Sequence, residues 1–203
     1  MDFLSNLEYL RLKDVSIKDD DDRFFKWLSG SCTSIKELLL ENCLGVNNLI
    51  IESSSLESFW CESHDFNDEC HLNISGDRLE KLHFDAPIGL VNISAPNLKY
   101  LEWFGEFKTR QNLGNLMFLE KAMIYSTTQI SNFDVLFDFL CSIRKVKVLI
   151  LDPIILEGLL EIERELSFIS QAKEFKSYNM MNTSLMLLSS HIINSSMLTI
   201  WGR

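Results

Sequence analysis

No apolar run in this sequence approaches the ~18 residues that a membrane-spanning helix needs. The best candidate, Val146 to Leu151, is only strand-sized. A secretory leader is not expected either, since the chain opens Met1-Asp2-Phe3-Leu4, with an acid where a signal peptide carries positive charge. The expectation is a cytoplasmic or nuclear protein without membrane contact. The Asn-x-Ser sequons at Asn73, Asn92, Asn182 and Asn194 are then chance matches. Positive charge is also short: 19 Lys and Arg against 29 Asp and Glu leave a net charge of −10. Phosphate contacts need clustered Lys and Arg, so nucleic acid is not an expected partner. The acidic balance suits a chain that repels its own copies or meets a basic partner.

Glycine is scarce, at eight residues, and neither a GxxxxGK nor a GxGxxG loop occurs, which removes the common phosphate cradles. Nothing resembles a nucleophile elbow with flanking glycines. The five cysteines (Cys32, Cys43, Cys61, Cys70, Cys141) are odd in number and irregular in spacing, and read as small buried hydrophobes. The sharpest metal-like cluster is Cys61-x-x-His64 with Cys70-His71. Cys61 falls on an inward strand position, however, and adjacent Cys70 and His71 would point to opposite faces of a strand. The acidic run Asp19 to Asp22 lacks the spaced ligands and glycine of a calcium loop, and reads as the charged start of a helix. Glu161, Glu163 and Glu165 lie on a solvated helix face. The reading is a protein with no catalytic residues, no cofactor and no metal.

What the sequence does contain is a repeat. Leu4-x-x-Leu7-x-x-Leu10-x-Leu12 opens it, and a frame of two inward residues around one outward residue recurs as Leu38-Leu39-Leu40, Phe59-Trp60-Cys61, Leu82-His83-Phe84 and Leu101-Glu102-Trp103. Weaker copies are Ala122-Met123-Ile124 and Leu149-Ile150-Leu151. Most are preceded at three positions by an aliphatic: Leu7, Ile35, Leu56, Leu79, Leu98, Leu119 and Val146. First inward residues at 10, 38, 59, 82, 101, 122 and 149 give steps of 28, 21, 23, 19, 21 and 27. Nearly all fall in the range of about 20–29 characteristic of leucine-rich repeats. Period-two alternation sends one set of side chains to each face of a strand. One repeat cannot bury its inward face alone, so coils must stack, with their strands parallel along one wall.

The segments between these frames differ. Arg23 to Leu28 reads as a helix with Phe24, Trp27 and Leu28 inward and Gly30 as its end. A second helix is expected over about 133–143, with Val135, Leu136, Phe139 and Leu140 inward. In between, Asn48 to Ile51, His71 to Ile74 and Leu90 to Ile93 read as strands followed by short turns. The fold class expected is therefore α/β: a leucine-rich-repeat solenoid with a parallel concave sheet, helical returns near the ends and β-strand returns in the middle. It spans 1–152. Residues 153–203 read as a C-terminal helical and irregular segment, a possible cap, with a helix from Leu156 to about Lys176 and a last strand around Met197 to Trp201.

Three phrases resemble the repeat region of plant F-box/LRR proteins: Leu-Ser-Asn-Leu-Glu-Tyr-Leu-Arg-Leu (4–12), Ser-Cys-Thr-Ser-Ile-Lys-Glu-Leu-Leu-Leu-Glu-Asn-Cys (31–43) and Ala-Pro-Asn-Leu-Lys-Tyr-Leu-Glu-Trp-Phe-Gly (95–105). The resemblance covers about 4–151. It implies a substrate-recognition domain of the kind used by Skp–cullin–F-box ubiquitin ligases. The F-box of that family precedes its repeats, and here the repeat frame already starts at Leu4, so binding of the Skp adaptor is not expected. Alternatives are a non-catalytic fragment or regulatory relative that associates with other repeat proteins, and the repeat arm of an intracellular immune receptor.

The outward residues carry the candidate site, a surface for a protein partner. The central column is Arg11, Leu39, Trp60, His83, Glu102, Met123 and Ile150, flanked by Tyr9, Tyr100, Phe104 and Tyr125. Aromatic residues, Met and Arg are enriched where proteins bind partners.

Overall fold

The structure is a computed structural model of the chain, and it describes residues 4–17, 23–46, 48–63, 71–86, 89–126, 128, 130 and 132–160. Among the described residues, ten strands and two helices precede a last helical stretch: β1 (Tyr9–Lys13), α1 (Arg23–Ser31), β2 (Glu37–Glu41), β3 (Asn48–Glu52), β4 (Ser58–Glu62), β5 (His71–Ser75), β6 (Lys81–Asp85), β7 (Leu90–Ser94), β8 (Tyr100–Phe104), β9 (Lys121–Tyr125), α2 (Phe133–Ser142) and β10 (Val148–Leu151). They form two parallel sheets. The long wall has the order β1-β2-β4-β6-β8-β9-β10, and the short wall has the order β3-β5-β7. Strands of the short wall thus alternate in sequence with strands of the long wall, as they must when a chain coils through both. This is the solenoid that the repeat frame predicts, with helical returns at both ends and β returns between.

Register follows the frame residue for residue. Leu10 lies beside Leu38, Leu38 beside Phe59, Phe59 beside Leu82 and Leu82 beside Leu101. Leu101 then lies beside Ala122, and Ala122 beside Leu149. A slip of one residue would turn every buried side chain to the other face, so the apolar frame itself fixes this alignment. Inward residues of the long wall meet Leu49, Ile51, Leu72, Ile74, Val91 and Ile93 of the short wall in one continuous core. The turn aliphatics Ile35, Leu56, Leu79, Leu98 and Leu119 close that core on one side. Burial is incomplete in β1, where Leu10 and Leu12 are only partly covered, since β1 is the edge strand of the long wall among the described residues.

The short wall fades at its far end. After β7, among the described residues, a single bridge joins Asn112 to Asn92, made by Ile93 N donating to Asn112 O at 2.8 Å and Asn112 N to Val91 O at 2.8 Å. The amide of Asn92 also donates to Asn73 Oδ1 at 2.8 Å, which makes two sequon asparagines rungs of a side-chain ladder between β5 and β7.

Both helices lie where the spacing puts them, and α1 differs in detail. Its buried residues are Phe25 and Leu28, whereas Phe24 is only partly covered and Trp27 is 46% exposed. Two stripes cross at Leu28, and 25–28–32 wins because it continues into Cys32, itself buried and donating to Leu28 O at 2.9 Å. Gly30 does not end the helix, which runs on through Ser31. In α2 the four expected residues Val135, Leu136, Phe139 and Leu140 are buried, and Asn132 caps the helix through Val135 N at 3.3 Å.

A further helical stretch starts at Pro153 rather than Leu156. Asp152 accepts from Ile155 N at 2.8 Å, an N-cap with proline at the first helical position. Its buried residue is Ile155, while Leu160 is 52% exposed. The expected continuation to Lys176 and the strand at 197–201 lie outside the described residues, as do Asp19 to Asp22.

Two glycines should respond in opposite directions to alanine. Gly114 has φ +58°, and a Cβ there would stand 2.6 Å from Ile93 O. The backbone conformation alone should cost about 1–2 kcal/mol with alanine. At Gly30, in α1, the space for a Cβ is open, so Gly30→Ala should stabilise by about 0.5–1 kcal/mol. Urea unfolding of the two variants gives both signs.

Candidate functional site

Alternation sends the odd-numbered residues of β1, β2 and β9, the even-numbered residues of β8, and their register partners in the other strands, away from the core. The outer face of the long wall therefore has three columns. The first contains Tyr9, Tyr100 and Lys121, the second Arg11, Leu39, Trp60, His83, Glu102, Met123 and Ile150, and the third Glu41, Glu62, Asp85, Phe104 and Tyr125.

Four of the expected site residues form a continuous diagonal strip. The rings of Trp60 and His83 stack with centroids 3.4 Å apart and planes 10° from parallel. His83 leans on Phe104 at 5.7 Å and 49°. Phe104 stacks on Tyr125 at 4.3 Å and 8°. The cause is the strand spacing of about 4.8 Å, which brings rings on adjacent parallel strands within stacking distance. Tyr125 hydroxyl ends the strip against Met123 Sδ at 4.0 Å. Burial, with Glu102 and Asp152 nearby, raises the pKa of that phenol above its ordinary value. Glu102 joins the strip from the second column, its Oε2 3.0 Å from His83 Nδ1. That nitrogen is buried and lacks the alignment of a hydrogen bond, so the pair is a close approach rather than a satisfied donor and acceptor.

Tyr9 and Arg11 sit apart from this strip, at the β1 end, with Leu39 between Arg11 and Trp60. Arg11 Nη2 bonds Glu41 Oε2 at 2.7 Å, and Lys13 Nζ lies 3.4 Å from the same oxygen. The bond from Arg11 holds the Glu41 carboxyl below the usual carboxylate range. Tyr100 is 42% exposed, in the first column beside Lys81 and Lys121. Trp60, at 37%, stays partly open to solvent despite its stack on His83.

The sequence reading passed over a second feature of this wall. The residue two positions before each first inward residue forms its own column: Glu8, Lys36, Glu57, Glu80, Lys99, Glu120 and Lys147. Their backbones are linked along the stack, as in Glu80 N donating to Glu57 O at 2.9 Å and Lys99 N to Glu80 O at 2.9 Å. Their side chains pair Lys36 with Glu8 at 2.9 Å, Lys99 with Glu80 at 2.7 Å and Lys147 with Glu120 at 3.0 Å. The repeat alignment contained the signal, since the column appears as soon as the copies are stacked.

The cysteine and histidine cluster divides between the walls. Cys61 is fully buried on β4 of the long wall, and His71 opens β5 of the short wall with its side chain exposed. His64 and Cys70 lie outside the described residues. Among the described residues no three His, Cys, Asp or Glu side chains gather as metal ligands. Burial raises the thiols of Cys32, Cys43 and Cys141 above their ordinary pKa, which lowers their thiolate fraction. Also among the described residues, no helix is long and apolar enough to cross a membrane. Comparison with known proteins finds no matching family model, curated protein or solved structure.

Proposed function

We propose that this solenoid is a protein-recognition module and that the outer face of its long wall is the recognition surface. The observation that carries the reading is the strip Trp60–His83–Phe104–Tyr125, which spans four adjacent strands. Stacked rings cost little conformational entropy to immobilise further, and they offer a partner both apolar faces and polar tips. Glu62, Asp85 and Glu102 lie on or beside the strip, which favours a partner with basic groups.

Affinity purification of the wild-type chain and of a Trp60→Ala, Tyr100→Ala double variant tests this. Both side chains are substantially exposed, so the fold should survive. Specific interactors should weaken by more than about tenfold, the scale of an aromatic anchor. Retention of every interactor by a folded double variant would remove the site.

The finer reading follows the resemblance of 4–12, 31–43 and 95–105 to plant F-box/LRR receptors. In it the partner is a substrate destined for ubiquitin transfer, and adaptor binding belongs to a module other than these repeats. Over-expression of the chain should then lower ubiquitination of a captured partner by competition. An unchanged level removes the ligase role and leaves recognition standing.

A further inference from the structure

The turn before β9 breaks a rule that the other coils keep. In the aligned coils, the two residues ahead of the turn aliphatic are Ser54-Ser55, Asp77-Arg78, Pro96-Asn97 and, one coil on, Arg144-Lys145. At the same place before Leu119 stand Met117 and Phe118. They are 51% and 60% exposed, and Phe118 is the most exposed large apolar side chain among the described residues. Nothing in the core calls for them, because Leu116 and Leu119 already fill the inward positions.

A groove opens on each side of this pair. One, of about 330 Å³, runs between Met117 and the end of α2, bordered by Ser142, Arg144 and Lys145. The other, of about 230 Å³, lies between Phe118 and the strand starts, bordered by Lys99, Lys145 and Lys147. Four cations thus surround two apolar side chains on a protein of net charge −10. Glu80 and Glu120 pair with Lys99 and Lys147. Among the described residues the Arg144 guanidinium reaches only a backbone carbonyl, that of Cys141 at 3.4 Å. Lys145 has no carboxylate within ion-pair distance among the described residues. The patch therefore keeps an excess of positive charge around an exposed Met and Phe, the residue types enriched at interface centres.

We propose that Met117 and Phe118, with Arg144 and Lys145, form a second docking surface that takes an acidic peptide segment. An apolar side chain of the segment would seat on Met117 and Phe118, and its flanking carboxylates would meet Lys145 and Arg144. This surface lies on the turns and the end of α2, apart from the aromatic strip, and does not depend on it.

Selection of a displayed random-peptide library on the full chain is the test. Peptides with Asp or Glu around a Leu, Phe or Trp should be enriched. Binding of a representative peptide should fall about tenfold or more with Phe118→Ser and with Lys145→Glu, and stay unchanged with Trp60→Ala. A peptide in which one acid becomes lysine should regain affinity for Lys145→Glu. Wild-type melting curves for the exposed-site variants separate lost binding from lost folding. The proposal is overturned if no acidic peptide is enriched, or if the binding of the acidic ones survives both substitutions. It is equally overturned if a photo-crosslinking residue in place of Phe118 links chiefly to 161–203 of its own chain.

Discussion

Leu82→Asp is expected to leave the chain without a cooperative thermal transition. Leu82 is 2% exposed at the middle of the long wall, between Phe59 on β4 and Leu101 on β8. Losing its burial costs about 2–5 kcal/mol. A carboxyl left there without hydrogen-bond partners adds about 1–3 kcal/mol even when it takes up a proton to shed its charge. Together these rival the whole stability of an ordinary domain, about 5–15 kcal/mol. The position matters as much as the sum. In a stack, each coil is held by its two neighbours, so a broken central coil removes support from both halves. Lys81→Asp is the control, one residue away on the exposed face, and should stay within about 0.5 kcal/mol of wild type. Far-ultraviolet circular dichroism against temperature distinguishes them. A wild-type melt for Leu82→Asp would mean that the repeat frame does not describe the core.

Most of the fold was legible because a solenoid repeats its physics. One strand with alternating Leu and polar residues is ambiguous, but seven in one frame define a sheet, its parallel sense and its register together. Leu39, Trp60 and His83 were recognisably outward for the same reason that Leu38, Phe59 and Leu82 were inward. The helix α1 was harder to read, since 24–27–28 and 25–28–32 are both legitimate helical stripes. The choice depends on Cys32, whose burial is decided by its place beneath the next coil. The start at Pro153 was missed because the cue was Asp152 with proline after it, while the apolar periodicity drew attention to Leu156.

The site was legible as a column and not as contacts. Sequence spacing placed Trp60, His83, Phe104 and Tyr125 on the outer face. Their stacking depends on the lateral offset between neighbouring parallel strands, which a one-dimensional pattern does not contain. The same holds for Arg11, which the repeat frame places on the outer face and whose guanidinium is engaged by Glu41. Met117 and Phe118 could have been found from the alignment alone, as the one apolar pair in a column of polar turns.

Phe139→Ala is expected to cost about 3–5 kcal/mol, and to do so unevenly along the chain. Phe139 is 1% exposed, and its ring meets Trp103 edge-on at 5.0 Å and Phe107 at 5.2 Å. It thus ties α2 to the β8 coil and to the segment after it, where the short wall has dwindled to the Asn112 bridge. Among the described residues no ladder of backbone hydrogen bonds continues the short wall there, so on that side of the coil side-chain packing carries the junction, opposite the β8–β9–β10 ladder of the long wall. Trp103 has limited means to compensate, because its buried indole N–H already lacks a partner. In a stack with nearest-neighbour coupling, the loss should fall on β9, α2 and β10 first. Hydrogen exchange should show faster amides over 121–151, with β2, β4 and β6 still protected below the melting temperature. Uniform loss of protection would mean that the solenoid unfolds as a single unit. Partner binding provides a second readout. Trp60 and His83 lie on the part of the wall expected to persist, whereas Tyr125 lies on the part expected to open. A partner held by the whole strip should therefore be weakened by Phe139→Ala even though that residue lies in the core and never reaches the surface.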